Sequence, residues 1–272
     1  MGRPSGVGKV ALVTGASAGI GRSCADRLAA AGWTVIGGSR RGTGAANWQG
    51  MVMNVDDDAA VRAGVAEIDE RHGRIDALVA AAGWGVAGAV EHTSIDEAKA
   101  QFETNFWGSV RVTQAVLPVM RREGGGRVVL LSSLGGVIGI PYQAFYSASK
   151  FALEGFAEAL AYEVEPFGVH VTLVQPGNIR TDFTASRKMA VASAGDPIYS
   201  IALAKAVGVM EHDEVNGAPV ASVADVIYRV LQAQRPPRRV SVGKVAERVG
   251  LVAKRVLPFR VFETAAKGSL GV

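Results

Sequence analysis

The chain has 272 residues, 49% of them apolar and 20% charged, and carries a net charge of +4. That length and apolar share fit one domain with a large core, and no apolar run is long enough to span a bilayer. A single cysteine, Cys24, excludes an internal disulfide, and His72, His92, His170 and His212 lack zinc-like spacing, so no metal site is expected.

In chain order, the opening MGRPSGVGKV has no apolar signal region, and Gly6 stands where a myristoylation site needs Ser or Thr. A cytoplasmic protein is therefore expected. Short β-branched runs then alternate with helical patterns. Strands are predicted at residues 9–15, 34–39, 50–55, 75–83, 126–133, 168–177 and 238–243, and helices at about 20–31, 57–72, 94–122, 144–165 and 222–234. Such alternation implies parallel strands joined by crossovers, and apolar runs without period-two alternation imply a sheet covered on both faces. The expected fold is α/β: a single doubly wound Rossmann-type domain over residues 1–272, with a seven-stranded parallel sheet and helices on both faces. Asp56, Asp57 and Asp58 lack the glycine and distal glutamate of a calcium loop and read as an acidic helix cap. Residues 182–217 form a long stretch without a clear strand and read as a mobile loop-helix lid.

The segment KVALVTGASAGIGRSCADRLAAAG is a strand, a glycine turn and an Ala-rich helix, with Gly15, Gly19 and Gly21 at the turn. Small residues there let backbone approach a pyrophosphate, and the helix N-terminus offers free N–H groups and a positive dipole end. Further on, FYSASK puts Tyr146 one helical turn before Lys150. An ammonium on the same helix face, with the charge of an oxidised nicotinamide, would stabilise the phenolate and lower its pKa, making Tyr146 an acid/base for an alcohol or carbonyl oxygen. Thirteen residues upstream, a strand ends in Ser132 and Ser133, where a hydroxyl can hold the reacting oxygen.

These features resemble the short-chain dehydrogenase/reductase family over roughly residues 8–242, nearest its steroid and retinol dehydrogenase branch. The matching motifs are TGASAGIG at 14–21, SSLGGVIGIPYQAFYSASK, and PGNIRT at 176–181. The resemblance implies that Ser133 positions substrate, Tyr146 is the acid/base, Lys150 bonds the nicotinamide ribose, and Asn105 holds a proton-relay water. It implies a dinucleotide contacted by Gly15, Ser17, Gly19, Ile20, Gly21, Ser39, Arg40, Arg41, Asn54, Val55, Ala82, Gly83, Tyr146, Lys150, Pro176, Gly177, Ile179 and Thr181. In particular, Gly177 would let backbone approach the nicotinamide and Thr181 would bond its carboxamide. One motif departs: AAAG, Ala80–Gly83, replaces the family's Asn-Asn-Ala-Gly. Where NAD-preferring sites place a carboxylate at the end of the second strand, this chain has Ser39, Arg40 and Arg41, so NADP(H) is expected over NAD(H), with Arg40 the leading contact.

The lid residues Phe183, Met189, Val191, Ile198, Tyr199, Ile201, Leu203 and Met210 either line a lipophilic substrate site or form the lid's own core. The expected reaction interconverts a secondary alcohol and a ketone on a small lipophilic, steroid-, retinoid- or acyl-like substrate. An oxoacyl-thioester reductase and a non-catalytic dinucleotide sensor are the alternatives. Residues 243–272 form a basic amphipathic extension. From residue 238 onward, eight Lys or Arg face only Glu247 and Glu263. Val245, Val249, Val252 and Val256 fall on one helix face, which either packs on the body or makes weak peripheral contact with an anionic membrane. Nucleic acid is not an expected partner, because the tail lacks interleaved aromatics. By family, a homodimer or homotetramer is expected.

Overall fold

The computed structural model describes residues 8–193 and 195–269. The N-terminal segment read for targeting signals, residues 1–7, and the last three residues of the tail lie outside the described residues. Seven strands form one parallel sheet: β1 (Val10–Thr14), β2 (Thr34–Ser39), β3 (Gln49–Val52), β4 (Ala77–Ala80), β5 (Gly126–Leu131), β6 (Val169–Pro176) and β7 (Arg239–Val242). Their order across the sheet is β3-β2-β1-β4-β5-β6-β7. Strand order reverses between β1 and β4, and the crevice beyond the C-terminal ends of these strands is where such sheets bind ligands.

The longer helices are α1 (Gly19–Ala30), α2 (Asp58–His72), α3 (Ile95–Phe102), α4 (Ser109–Arg122), α5 (Ala144–Val164), α6 (Ser200–Val215), α7 (Val220–Gln232), α8 (Val245–Val256) and α9 (Phe259–Ser269). Successive β1 residues point to opposite faces of the sheet. Val10 and Leu12 join a core with Val61 and Ile68 of α2, Val112 of α4 and Leu153 of α5. Ala11 and Val13 join another with Leu28 of α1 and Ile227 of α7. Both faces are dry, which explains why the strands read as unbroken apolar runs. Within the aspartate run, Asp57 caps α2 by accepting from the N–H groups of Ala59 and Ala60 at 2.9 and 3.1 Å, and Asp58 opens its first turn.

The single helix expected over 94–122 is interrupted. A six-residue π turn, Glu103–Gly108, separates α3 from α4. The interruption has two local causes. Thr104 and Asn105 are poor helix formers, and Gly108 packs so closely on Val55 that a Cβ there would come within 2.7 Å of Cγ2. The lid also differs from a plain loop-helix. It holds a one-turn helix, Phe183–Ser186, and a two-residue strand, Lys188–Met189, paired in parallel with Val86–Ala87. A second short ladder pairs Ile179–Arg180 with Ala218–Pro219 and so ties down the approach to α7. No helix among the described residues is long and apolar enough to cross a membrane.

Candidate active site

The glycine turn after β1 is shaped by two close approaches. Gly15 adopts φ +68°, and a side chain there would meet Ala82 backbone at 2.9 Å. A Cβ at Gly21 would lie 2.4 Å from the Gly15 carbonyl oxygen, so α1 can start against the turn only as glycine. No side chain caps α1 at Ala18, which leaves first-turn N–H groups for a ligand. A cavity of about 1180 Å³ runs from this turn to α5, and every residue expected to touch the dinucleotide lines it. These residues fit a nicotinamide dinucleotide. A pyrophosphate would fit at Gly15–Gly21, with Ser39, Arg40 and Arg41 at the end where the adenosine ribose is expected. Ser39 Oγ accepts from Gly42 N at 3.1 Å, closing a turn that presents both arginines. Neither guanidinium has an ion-pair partner among the described residues.

The Ala80–Ala81 departure is compensated locally. Thr14 Oγ1 on β1 accepts from the N–H groups of Ala81 and Ala82 at 3.2 and 3.3 Å, bracing the backbone that the missing amides would hold. From the other side, Asn105 accepts from Trp84 N and donates to Trp84 O, both at 3.0 Å, and donates to Ser149 Oγ at 3.2 Å. Its side-chain amide is fully used and fully buried. Asn105 thus holds the Trp84 backbone in place. The π turn sets the register in which that amide reaches Trp84.

Ser132 and Ser133 point apart. Ser132 Oγ donates to Glu154 at 2.6 Å inside the protein, whereas Ser133 Oγ accepts from Gly135 N at 3.0 Å on the cavity wall. A side chain at Gly135 would touch the Tyr146 ring at 3.1 Å and Ser133 Oγ at 3.4 Å, which places hydroxyl and phenol side by side. Lys150 Nζ donates to the Leu131 carbonyl at 2.8 Å and lies 5.9 Å from the Tyr146 ring centre. The expected lowering of Tyr146 by Lys150 is not what the chain alone produces. Burial raises the phenol's pKa; Ser133 opposes this, Glu214 adds to it, and Arg187 opposes it. Burial also pushes Lys150 down, to about 8.

Two further site residues also have partners within the chain. Gly177 faces Glu247 of the tail, since a Cβ there would lie 2.2 Å from Oε2. That carboxylate accepts from Asn178 N and Nδ2 at 3.2 and 2.9 Å and from Lys244 N at 2.8 Å. Gly177 therefore makes room for the tail as well as lining the cavity. Thr181 Oγ1 accepts from Phe183 N at 3.2 Å and still has its own proton to donate. Of the eight apolar lid residues, only Phe183 and Met210 line the cavity. Leu203 is buried in the lid, and Met189, Val191, Ile198 and Ile201 are exposed. The sequence reading missed Gln143, Asp213 and Glu214, which also line the cavity. Glu214 binds Arg187 and accepts from Thr184 Oγ1 at 2.6 Å. Gln143 follows Tyr142, whose φ of +59° is unusual for a bulky residue, and its Nε2 is buried without a partner among the described residues. Strain just ahead of Tyr146 was a signal available only in three dimensions.

A parallel sheet with a dinucleotide cradle at its switch point, and a serine, a tyrosine and a lysine converging beside it, defines a nicotinamide-dependent dehydrogenase or reductase. Residues 9–191 match the family model for short chain dehydrogenases, and the chain belongs to that family. It is 37% identical over 260 residues to 3-ketodihydrosphingosine reductase of Bacteroides thetaiotaomicron, covering 95% of this chain and 97% of that protein. With 3-oxoacyl-[acyl-carrier-protein] reductase FabG of Escherichia coli it shares 38% identity over 185 residues, 65% of this chain and 76% of that one. Among solved structures, a short-chain dehydrogenase from Streptomyces avermitilis superposes with a TM-score of 0.81 at 34% identity, covering 96% and 97% of the two chains.

Proposed function

We propose that the protein reduces a long-chain ketone carrying a polar, amine-bearing head next to the carbonyl, of the kind represented by 3-ketodihydrosphingosine, with NADPH as hydride donor. One observation carries this reading: the cavity wall around Tyr146 combines apolar side chains with carboxylate and amide groups. The Phe183 ring lies 5.9 Å, centre to centre, from the Tyr146 ring and Ile140 stands beside the same ring, with Ile138, Val209 and Met210 also on the wall, while Gln143 and Asp213 line the same cavity. Glu214 is already held by Arg187, but Asp213 has no ion-pair partner among the described residues and suits a substrate ammonium, and a buried unpartnered amide donor suits a hydroxyl. The full-length similarity to a sphingoid-base reductase supports it; the similarity to the oxoacyl reductase covers less of the chain.

The dihydronicotinamide supplies the hydride when bound. Tyr146 gives its phenolic proton to the carbonyl oxygen as that oxygen becomes an alcohol, and Ser133 donates a hydrogen bond to the same oxygen. Lys150, fixed by the Leu131 carbonyl, stands where the nicotinamide ribose is expected. Burial raises the phenol's pKa, so Tyr146 in the chain alone carries the proton that a donor to the carbonyl oxygen needs. The test is to assay purified protein on 3-ketodihydrosphingosine, on its analogue lacking the amine, and on acetoacetyl thioesters, repeated with Asp213→Asn. The expected result is preference for the amine-bearing ketone, with KM for it rising about tenfold in the variant and the amine-free analogue little affected. Equal or better turnover of the thioester would overturn the reading.

A further inference from the structure

The two tail helices have two faces with different fates. On α8, Ala246, Gly250 and Ala253 line the cavity, and on α9 Phe262 and Ala266 do so, with Leu257 between the helices. The next stripe around α8 is left exposed. Val245, Val249, Val252 and Val256 are 57–73% exposed, and Phe259 and Val261 continue the patch at 74% and 54%. Six bulky apolar side chains in about four helical turns exceed what scattered surface residues require. Val245, Val249 and Val252 share with Arg248 and Arg255 an open groove of about 620 Å³ against the β7 edge. Arg248, Arg255 and Arg260 have no ion-pair partner among the described residues, whereas Glu247 is turned inward onto Gly177 and Asn178.

From these observations we infer that α8 and α9 dock in the plane of an anionic membrane surface, with the valine stripe and Phe259 entering the headgroup boundary and the arginines meeting lipid phosphates. An apolar stripe edged by uncompensated cations is the pattern of an interfacial helix. A second copy of the chain suits the patch less well. A two-fold interface would set α8 and α9, five basic residues against two acidic ones, opposite their own image. Docking also brings the outer side of the cavity wall to the bilayer, where a lipophilic ketone resides. The inference stands on the exposed face and its charge, whatever the substrate proves to be.

The experiment is flotation of the full chain with vesicles of phosphatidylcholine alone or with phosphatidylglycerol, at low and high salt. The variants are Val249→Gln with Val252→Gln, and Arg248→Gln with Arg255→Gln. Dinucleotide binding and circular dichroism check the fold, since none of these four residues lines the dinucleotide cavity. Expected are binding to the anionic vesicles that weakens with salt, and at least about tenfold weaker partitioning in each double variant. Full-length protein that ignores anionic vesicles at low salt overturns the inference. So does vesicle binding that both variants leave unchanged, or a valine variant that splits an oligomer in solution while vesicle binding persists.

Discussion

The dinucleotide side and the substrate side of one cavity are built by different means. Around Gly15–Gly21 the wall is backbone: positive φ, an uncapped helix start, and contacts at which a single Cβ would collide. Around the lid and tail the wall is side chains from distant segments, including Glu214 bound by Arg187 and Glu247 seated on Gly177. A backbone site can be specified by a few glycines close together in sequence. A side-chain site needs long-range packing and leaves little local pattern.

Tyr146 stands where the two sides meet, so it offers the largest test of the contrast. Tyr146→Phe should lose about 10² to 10⁴ in turnover while dinucleotide binding persists, because only proton transfer is removed. A Phe variant retaining half its activity would show that chemistry does not sit at this junction.

Lys150 sharpens the comparison through pH. Its folded pKa of about 8 lies below the ordinary 10.5, so between these values the unfolded chain binds the extra proton. Stability therefore rises as pH goes from about 8 to 10.5, and the contribution is lost below pH 8, where the fold must hold a buried ammonium. For a shift of this size the swing is roughly 3 kcal/mol. The readout is chemical denaturation of ligand-free protein across that range against Lys150→Met. A difference between the two that stays flat with pH would mean the lysine is not charged at a cost. Tyr146, raised by burial, works in the opposite direction, but only above pH 10.

The smallest expected effect lies at the adenosine end. With no carboxylate beside Ser39 and two arginines without an ion-pair partner among the described residues, kcat/KM for NADPH should exceed that for NADH by about 10- to 150-fold, as one charge-assisted phosphate contact allows. Arg40→Ala should remove most of that ratio. A wild-type ratio below one would reverse the cofactor reading.

The strands, the glycine turn and the Ser133, Tyr146 and Lys150 set were legible because each depends on local spacing: apolar runs, glycine at a strand end, one helical turn. Glu214 and Gln143 were not, because their significance comes from Arg187 and Thr184 in one case and from a strained Tyr142 in the other. Asn105 was half legible. A polar residue amid Phe102 and Phe106 called for a reason, but the partner that supplies it, the Trp84 backbone, lies 21 residues away. Valine spacing in the tail defined a face but could not say whether it was covered.

The π turn at Glu103–Gly108 carries one residue more than a regular helix would use there. In the gene that is a single codon. Deleting it would let α3 and α4 anneal into one α-ladder, a change the backbone would welcome, while turning everything before it by about 100° relative to everything after. Asn105 would swing away from Trp84. The helix thus holds an irregularity that local hydrogen bonding alone would erase, and it is kept in place by what the amide does on the other side of the groove.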